Sequence, residues 1–238
     1  MQILGWTLVW GGLFGIGIVG WQVFGTDVVN RRVQAAAGIQ LDQGFLQARQ
    51  DLPEVVEVPV HDVGEILVPE AASESSPDVV ERYSEDQPEE NVEFAYLSIP
   101  SLDLEAVVFE GVTGETLRKG PGHMPWTPLP GQPGNAVLSG HRTTHGRPFF
   151  NLDQLKPGDR IEIETTIGIH VYLVRDSFVV KPTDVWVTED REGSWLTMTT
   201  CNPKFSARQR LIVTAELVEG PNAAYISLLL EDRVKGLS

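Results

Sequence analysis

Cys201 is the only cysteine of the chain, so it closes no internal disulfide. Its thiol is either apolar filling or a reagent. It ends a strand-like run, residues 195–201, and Arg210 heads a second run that continues over 211–217. Side chains alternate across a strand, so residues two apart share a face. Leu196, Met198 and Thr200 form the natural core side of the first run, which turns Cys201 outward. Leu211, Val213, Ala215 and Leu217 form the core side of the second, which turns Arg210 outward. If the two runs pair antiparallel, Cys201 and Arg210 become cross-strand neighbours, with Cβ atoms roughly 4.5–5.5 Å apart. A cation there favours the thiolate, or holds the oxyanion of a tetrahedral intermediate. Arg208 shares the parity of Arg210, but Arg210 adjoins the apolar strand and is better anchored.

A cysteine nucleophile needs a proton partner, and histidine is the usual one. Five are present. His61 lies in an acidic stretch, His123 follows Pro121-Gly122 in a loop, and His170 sits inside a strand run. His141 follows Val137-Leu138-Ser139-Gly140 at the end of a strand, beside a glycine that permits close approach. His145 is in the same loop. Position favours His141. The His and Cys groups lack zinc spacing, so neither a metal nor a cofactor is implied. Glu189, Asp190 and Glu192, in one loop, leave calcium open.

The elements that must position these groups are short β runs at 94–99, 104–109, 136–139, 160–165, 169–174, 178–180, 196–201 and 210–217. Gly/Pro/Asn turns separate them, such as Pro130-Gly131-Gln132-Pro133-Gly134-Asn135. Eight such strands predict a mainly β domain, a sandwich or closed barrel. Short helices are expected only around 114–119 and 149–155. The apolar octet 223–230 is too short to span a membrane and reads as a helix on the barrel or a frayed end.

Formal net charge is −15, and residues 51–93 hold fourteen acids against one base, Arg82. The segment 53–90 reads as an extended acidic spacer, too poor in apolar area to offset its ordering entropy. The remaining domain is nearly neutral, which argues against nucleic acid as a partner. Residues 3–24 are apolar or small apart from Gln22, a length that suits a bilayer-spanning helix better than a cleaved signal peptide. Residues 27–50 read as a juxtamembrane helix. The predicted organisation is a membrane anchor over 1–26, a juxtamembrane segment and acidic disordered linker over 27–93, a domain over 94–220 and a tail over 221–238. Arg31 and Arg32 after the span would place the bulk of the chain in the cytoplasm.

Val137-Leu138-Ser139-Gly140-His141-Arg142-Thr143-Thr144-His145-Gly146 resembles the histidine loop of sortases. Leu196-Thr197-Met198-Thr199-Thr200-Cys201 resembles their TLxTC signature, with Met198 at the variable position. The stretch from Asn202 to Val213 is similar to the actinobacterial class E branch. The resemblance covers roughly 94–220 and implies an eight-stranded sortase-type β-barrel. It further implies a membrane-anchored cysteine transpeptidase with Cys201 as nucleophile, His141 as acid/base and Arg210 as oxyanion or substrate clamp. The implied substrates are surface proteins tailed with an LPxTG- or LAxTG-like signal, cut between Thr and Gly. The implied acceptor is an amine of a peptidoglycan precursor or a pilin lysine. His145 stands where class E sortases carry a tyrosine tied to the choice of alanine over proline in the signal. The family places its domain on the wall side of the plasma membrane, against the reading from Arg31 and Arg32, and the family reading is preferred. A cysteine hydrolase without transfer, and a wall-facing binding module with an inert cysteine, are the alternatives.

Overall fold

The computed structural model describes residues 6, 10–15, 17–18, 25–48, 55–59 and 79–236. Helix α1 runs Thr26–Ala48. Strands β1 (Val55–Pro59) and β2 (Val79–Tyr83) form an antiparallel ribbon of their own. Eight further strands close into a barrel: β3 (Glu93–Ile99), β4 (Leu104–Glu110), β5 (Gly122–His123), β6 (Gly134–Ser139), β7 (Arg160–Thr165), β8 (Gly168–Val180), β9 (Ser194–Asn202) and β10 (Gln209–Glu219). Around the barrel the order is β10-β8-β7-β3-β4-β5-β6-β9, and β9 pairs with β10 to close it. The pairs β4–β5 and β6–β9 are parallel, and the rest are antiparallel. Helix α2 (Gly114–Lys119) links β4 to β5, and α3 (Ala223–Gly236) follows β10.

The alternation that marks the strands in sequence is the alternation of burial. In β7, Ile161 and Ile163 face the core while Arg160, Glu162 and Glu164 do not. Leu97, Ile99, Leu138, Leu196, Met198 and Val213 join them, with Phe149 and Leu152 plugging one end. Tyr172 is wholly buried, and its hydroxyl accepts the Gly131 N–H at 2.6 Å. Desolvation pushes this phenol up to about 12.

The barrel has eight strands, the expected number, but they are not the expected eight. Runs 169–174 and 178–180 are one strand, β8. The polar Arg175-Asp176-Ser177 continues the strand, with Arg175 bulged where the pairing with β10 steps from Thr214–Asp176 to Ala215–Val174. The eighth strand is the two-residue β5, which holds His123 where a loop was expected. Its ring is buried, with Nδ1 2.8 Å from Glu110 Oε2 and Nε2 2.9 Å from Pro128 O. The 149–155 segment shortens to a 3-10 turn, Leu152–Gln154. The tail octet is the start of α3, which buries Ile226 and Leu228.

The 27–93 stretch holds more structure than a juxtamembrane segment and disordered linker. Valines 55, 56, 58, 79 and 80 give its two flanks strand character, and the flanks pair. Residues 60–78 between them lie outside the described residues. The expected membrane anchor lies largely outside them too, although residues 10–15 are helical and expose Trp10, Leu13 and Phe14. Among the described residues no helix is long and apolar enough to cross a membrane.

His170 is fully buried on β8, with Nε2 3.1 Å from Thr165 Oγ1, and desolvation lowers it to about 4. The unfolded ring protonates near 6.5, so the folded protein loses stability as pH falls from about 6.5 to about 4, by up to ~3 kcal/mol. Replacing His170→Gln is expected to flatten that part of the curve, read as urea midpoints between pH 7 and pH 4. An unchanged slope would place the acid sensitivity elsewhere.

Candidate functional site

Strands β6 and β9 run parallel, with Ser139 opposite Thr199. The pairing continues past the last ladder residue. Gly140 N–H donates to Thr199 O at 3.1 Å, and Thr200 Oγ1 donates to Gly140 O at 2.7 Å. His141 therefore leaves β6 at the rim where β9 presents Cys201. The antiparallel hairpin brings the chain back with Arg210 directly opposite Cys201. Thus His141, Cys201 and Arg210 meet at one end of the barrel.

Cys201 is half-buried. Leu196, Met198 and Thr200 are buried, as parity requires for a thiol on the opposite face. That opposite face is not simply solvated, because Thr197, Ile212 and Thr214 are buried as well. The segment between β8 and β9 covers it. Its 3-10 turn, Val185–Thr188, lays Trp186 on Phe178 with ring centroids 5.8 Å apart. Asn135 Nδ2 donates to Val187 O and Glu189 O, and Thr197 Oγ1 donates to Asn135 Oδ1. Arg210 Nη1 donates to Ala207 O and Gln209 O, both at 3.0 Å. Arg208 is exposed in the loop before β10, so register separates the two arginines that parity left open.

Gly140 has a packing reason to be glycine. A Cβ there would lie 2.6 Å from the ring of Phe149, which is wholly buried beneath the loop. Phe149 N–H donates to His141 O at 3.1 Å. His145, Gly146 and Arg147 follow at φ 52°, 77° and 52°, and this left-handed turn folds His145 back. The two imidazoles stack at 4.9 Å, inclined by 26°. Burial, then the charge of His145, then that of Arg118 lower the pKa of His141 from its ordinary value. Burial and Arg118 lower His145 too, while Asp27 opposes them.

Of the other histidines, His123 and His170 are buried inside the barrel wall, and His61 lies outside the described residues. Among the described residues no three His, Cys, Asp or Glu side chains converge as a metal site. In the loop of Glu189, Asp190 and Glu192, the Glu192 carboxylate pairs with Arg233.

Two anchors escaped the reading of the sequence. Arg142 is 3% exposed. Its Nη1 donates to Cys201 O at 3.1 Å and Asn202 Oδ1 at 2.7 Å, and its Nη2 meets Asp153 Oδ1 at 3.0 Å. Burial pushes the Asp153 carboxyl up, but Arg142 and Lys204 outweigh it and hold it below the usual range. The second anchor is α1, whose Asp27 accepts from Gly146 N–H at 3.1 Å and pairs with Arg147 at 2.8 Å. The signal for Asp27 was present as the 27, 30, 34, 37, 41 spacing of a helix face, which is polar in its first half. Arg142 sits in an irregular loop, where no periodicity tells inside from outside.

A family model described as the sortase domain matches residues 97–218. The chain is 35% identical over 142 residues to sortase SrtE1 of Streptomyces coelicolor, covering 53% of this chain and 40% of that one. It is 31% identical over 134 residues to sortase D of Bacillus subtilis, covering 56% and 66%. These matches therefore span less than two thirds of either relative. A crystal structure of sortase E1 from Streptomyces coelicolor, with a tripeptide in the active site, aligns with TM-score 0.52 at 33% identity over 54% of this chain and 90% of that one.

Truncating Arg142→Leu strands Cys201 O and Asn202 Oδ1 at the rim and leaves Asp153 with Lys204. It is expected to cost about 2–3 kcal/mol of stability, read from urea denaturation. Amide exchange should rise at 141–147 and at 201–202 together. A rise at only one of the two would mean that the guanidinium does not join them.

Proposed function

Because the chain belongs to the sortase family, we propose that it is a membrane-anchored cysteine transpeptidase acting on proteins that end in an LPxTG- or LAxTG-like signal. The observation that carries this reading is the double register, which sets Cys201 opposite Arg210 and brings His141 to the same rim. The tripeptide held in the active site of the related structure supports a peptide substrate.

His141, held below its ordinary range, is uncharged at neutral pH and takes the thiol proton as Cys201 Sγ attacks the threonine carbonyl carbon. The carbonyl π electrons move to oxygen. Arg210 has donors beyond the two bonds of its Nη1, and in this mechanism they stabilise the developing oxyanion. On collapse the Thr–Gly bond breaks, the imidazolium gives its proton to the leaving glycine amine, and a thioester remains on Cys201. An amine then attacks the thioester and loses its proton to His141, and the thiol regains that proton. The acceptor is an amine of a peptidoglycan precursor or a pilin lysine. Residues 1–26 anchor the chain in the plasma membrane, and the domain over 94–220 works on the wall side. His145 replaces the tyrosine of class E relatives beside His141, so its ring bears on the choice between alanine and proline.

The test uses the full chain in detergent with fluorescent LPxTG and LAxTG peptides, with and without an added amine. A thioester of Cys201 is expected by mass spectrometry, with an amide product only when amine is present. Cys201→Ala should form no adduct, and full turnover by that variant would remove the nucleophile from the proposal. Product released to water, unchanged by amine, would mark a hydrolase instead. His145→Phe keeps a ring on His141 but removes the charge that lowers its pKa. The acid limb of kcat/KM should therefore move to higher pH. A limb that stays in place would assign it to another group.

A further inference from the structure

The loop that carries His141 is poorly suited to hold itself. Three consecutive residues, His145, Gly146 and Arg147, have positive φ. Two of them bear side chains that disfavour the left-handed region, so surrounding structure must enforce it. That structure comes from α1, far away in sequence. Asp27 is 5% exposed. One carboxylate oxygen accepts Gly146 N–H at 3.1 Å, and the other pairs with Arg147 Nη2 at 2.8 Å. Asn30 lies so close that a Cβ on Gly146 would come within 2.0 Å of its Oδ1.

The same helix face is locked to the barrel. Asn30 Nδ2 donates to Arg118 O and Lys119 O, at 3.0 and 2.9 Å. Gln34 grips the Val107 backbone from both sides, accepting its N–H at 2.7 Å and donating to its carbonyl at 3.2 Å. Below it, Ala37, Leu41 and Phe45 pack on Val107, Phe109 and Tyr96.

We propose that Asp27 is a positioning residue, and that docked α1 holds the loop in the turn that stacks His145 on His141. Active geometry at the rim then depends on the helix that comes after the N-terminal apolar run. This inference rests on the proposed transpeptidase reading for its kinetic consequence only.

The test compares the full chain with Asp27→Ala and Asp27→Asn. In Asp27→Ala, kcat for thioester formation is expected to fall about tenfold or more, because small misplacements of a reacting group are costly. KM for the peptide should stay within about twofold. Amide exchange at 141–147 should rise while exchange in β7 and β8 is unchanged, and the NMR contact between the two imidazole rings should weaken. Asp27→Asn keeps an acceptor for Gly146 but not the ion pair, and should recover part of the loss. Unchanged kcat in Asp27→Ala would overturn the proposal, as would exchange that rises equally through the barrel. If the unaltered chain turns over no peptide, the functional reading has failed, and the exchange and ring contact still decide the clamp.

Discussion

The parallel pairing of β6 with β9 is the constraint on which the site depends. Two strands that run the same way cannot be joined by a tight hairpin, so β7 and β8 lie between them in the chain. Both strands must leave the barrel at the same rim, so their C-terminal extensions are brought together there. On one side these are Gly140 and His141, on the other Thr200 and Cys201. The β9–β10 hairpin then returns Arg210 to the same rim in cross-strand register. Arg142 completes the junction. Its buried guanidinium binds the Cys201 carbonyl from the histidine side, so loop and thiol-bearing backbone are fixed to each other as well as to the core. Burying that charge is costly, and Cys201 O, Asn202 Oδ1 and Asp153 offset it.

The charge around the rim contrasts with the chain as a whole. The chain carries −15, yet Arg118, Arg142, Arg147, Lys204 and Arg210 surround the histidine loop and the cysteine hairpin. The nearby carboxylates are committed: Asp27 to Arg147 and Asp153 to Arg142 and Lys204. A rim of this sign suits chemistry that places negative charge first on sulfur and then on a carbonyl oxygen. Within it, burial first, and then His145 and Arg118, disfavour the charged form of His141.

What the sequence revealed was governed by period. Residues 195–201 and 210–217 alternate cleanly, and parity alone turned Cys201 and Arg210 to one face of a hairpin that the structure contains. The same rule misread β8, because Arg175-Asp176-Ser177 breaks the alternation without breaking the strand. It could not see β5, where two residues carry no period and pair on both sides only because β4 and β6 leave a gap. It left His123 in a loop, although His123 and Glu110 are paired inside the wall. The contact of Arg142 with Cys201 leaves no local pattern at all, and that of Asp27 with Gly146 leaves only a helix-face spacing that does not name its partner.

Helix α1 shows how such a contact hides. Its barrel-facing stripe changes character along its length, with Asp27, Asn30 and half-buried Gln34 nearest the histidine loop and Ala37, Leu41 and Phe45 further away. A search for apolar periodicity sees only the second half, too short to mark a docked face. The division has a physical sense. Apolar contact is tolerant of small slides, because burial depends on area and little on direction. Hydrogen bonds from side chains to backbone groups weaken steeply when distance or angle departs from a narrow range. The apolar half therefore supplies adhesion where position matters less, and the polar half fixes register beside the turn at 145–147. Its backbone partners at Val107, Arg118, Lys119 and Gly146 tie the polar half to the course of the main chain, and the Arg147 side chain adds an ion pair to it.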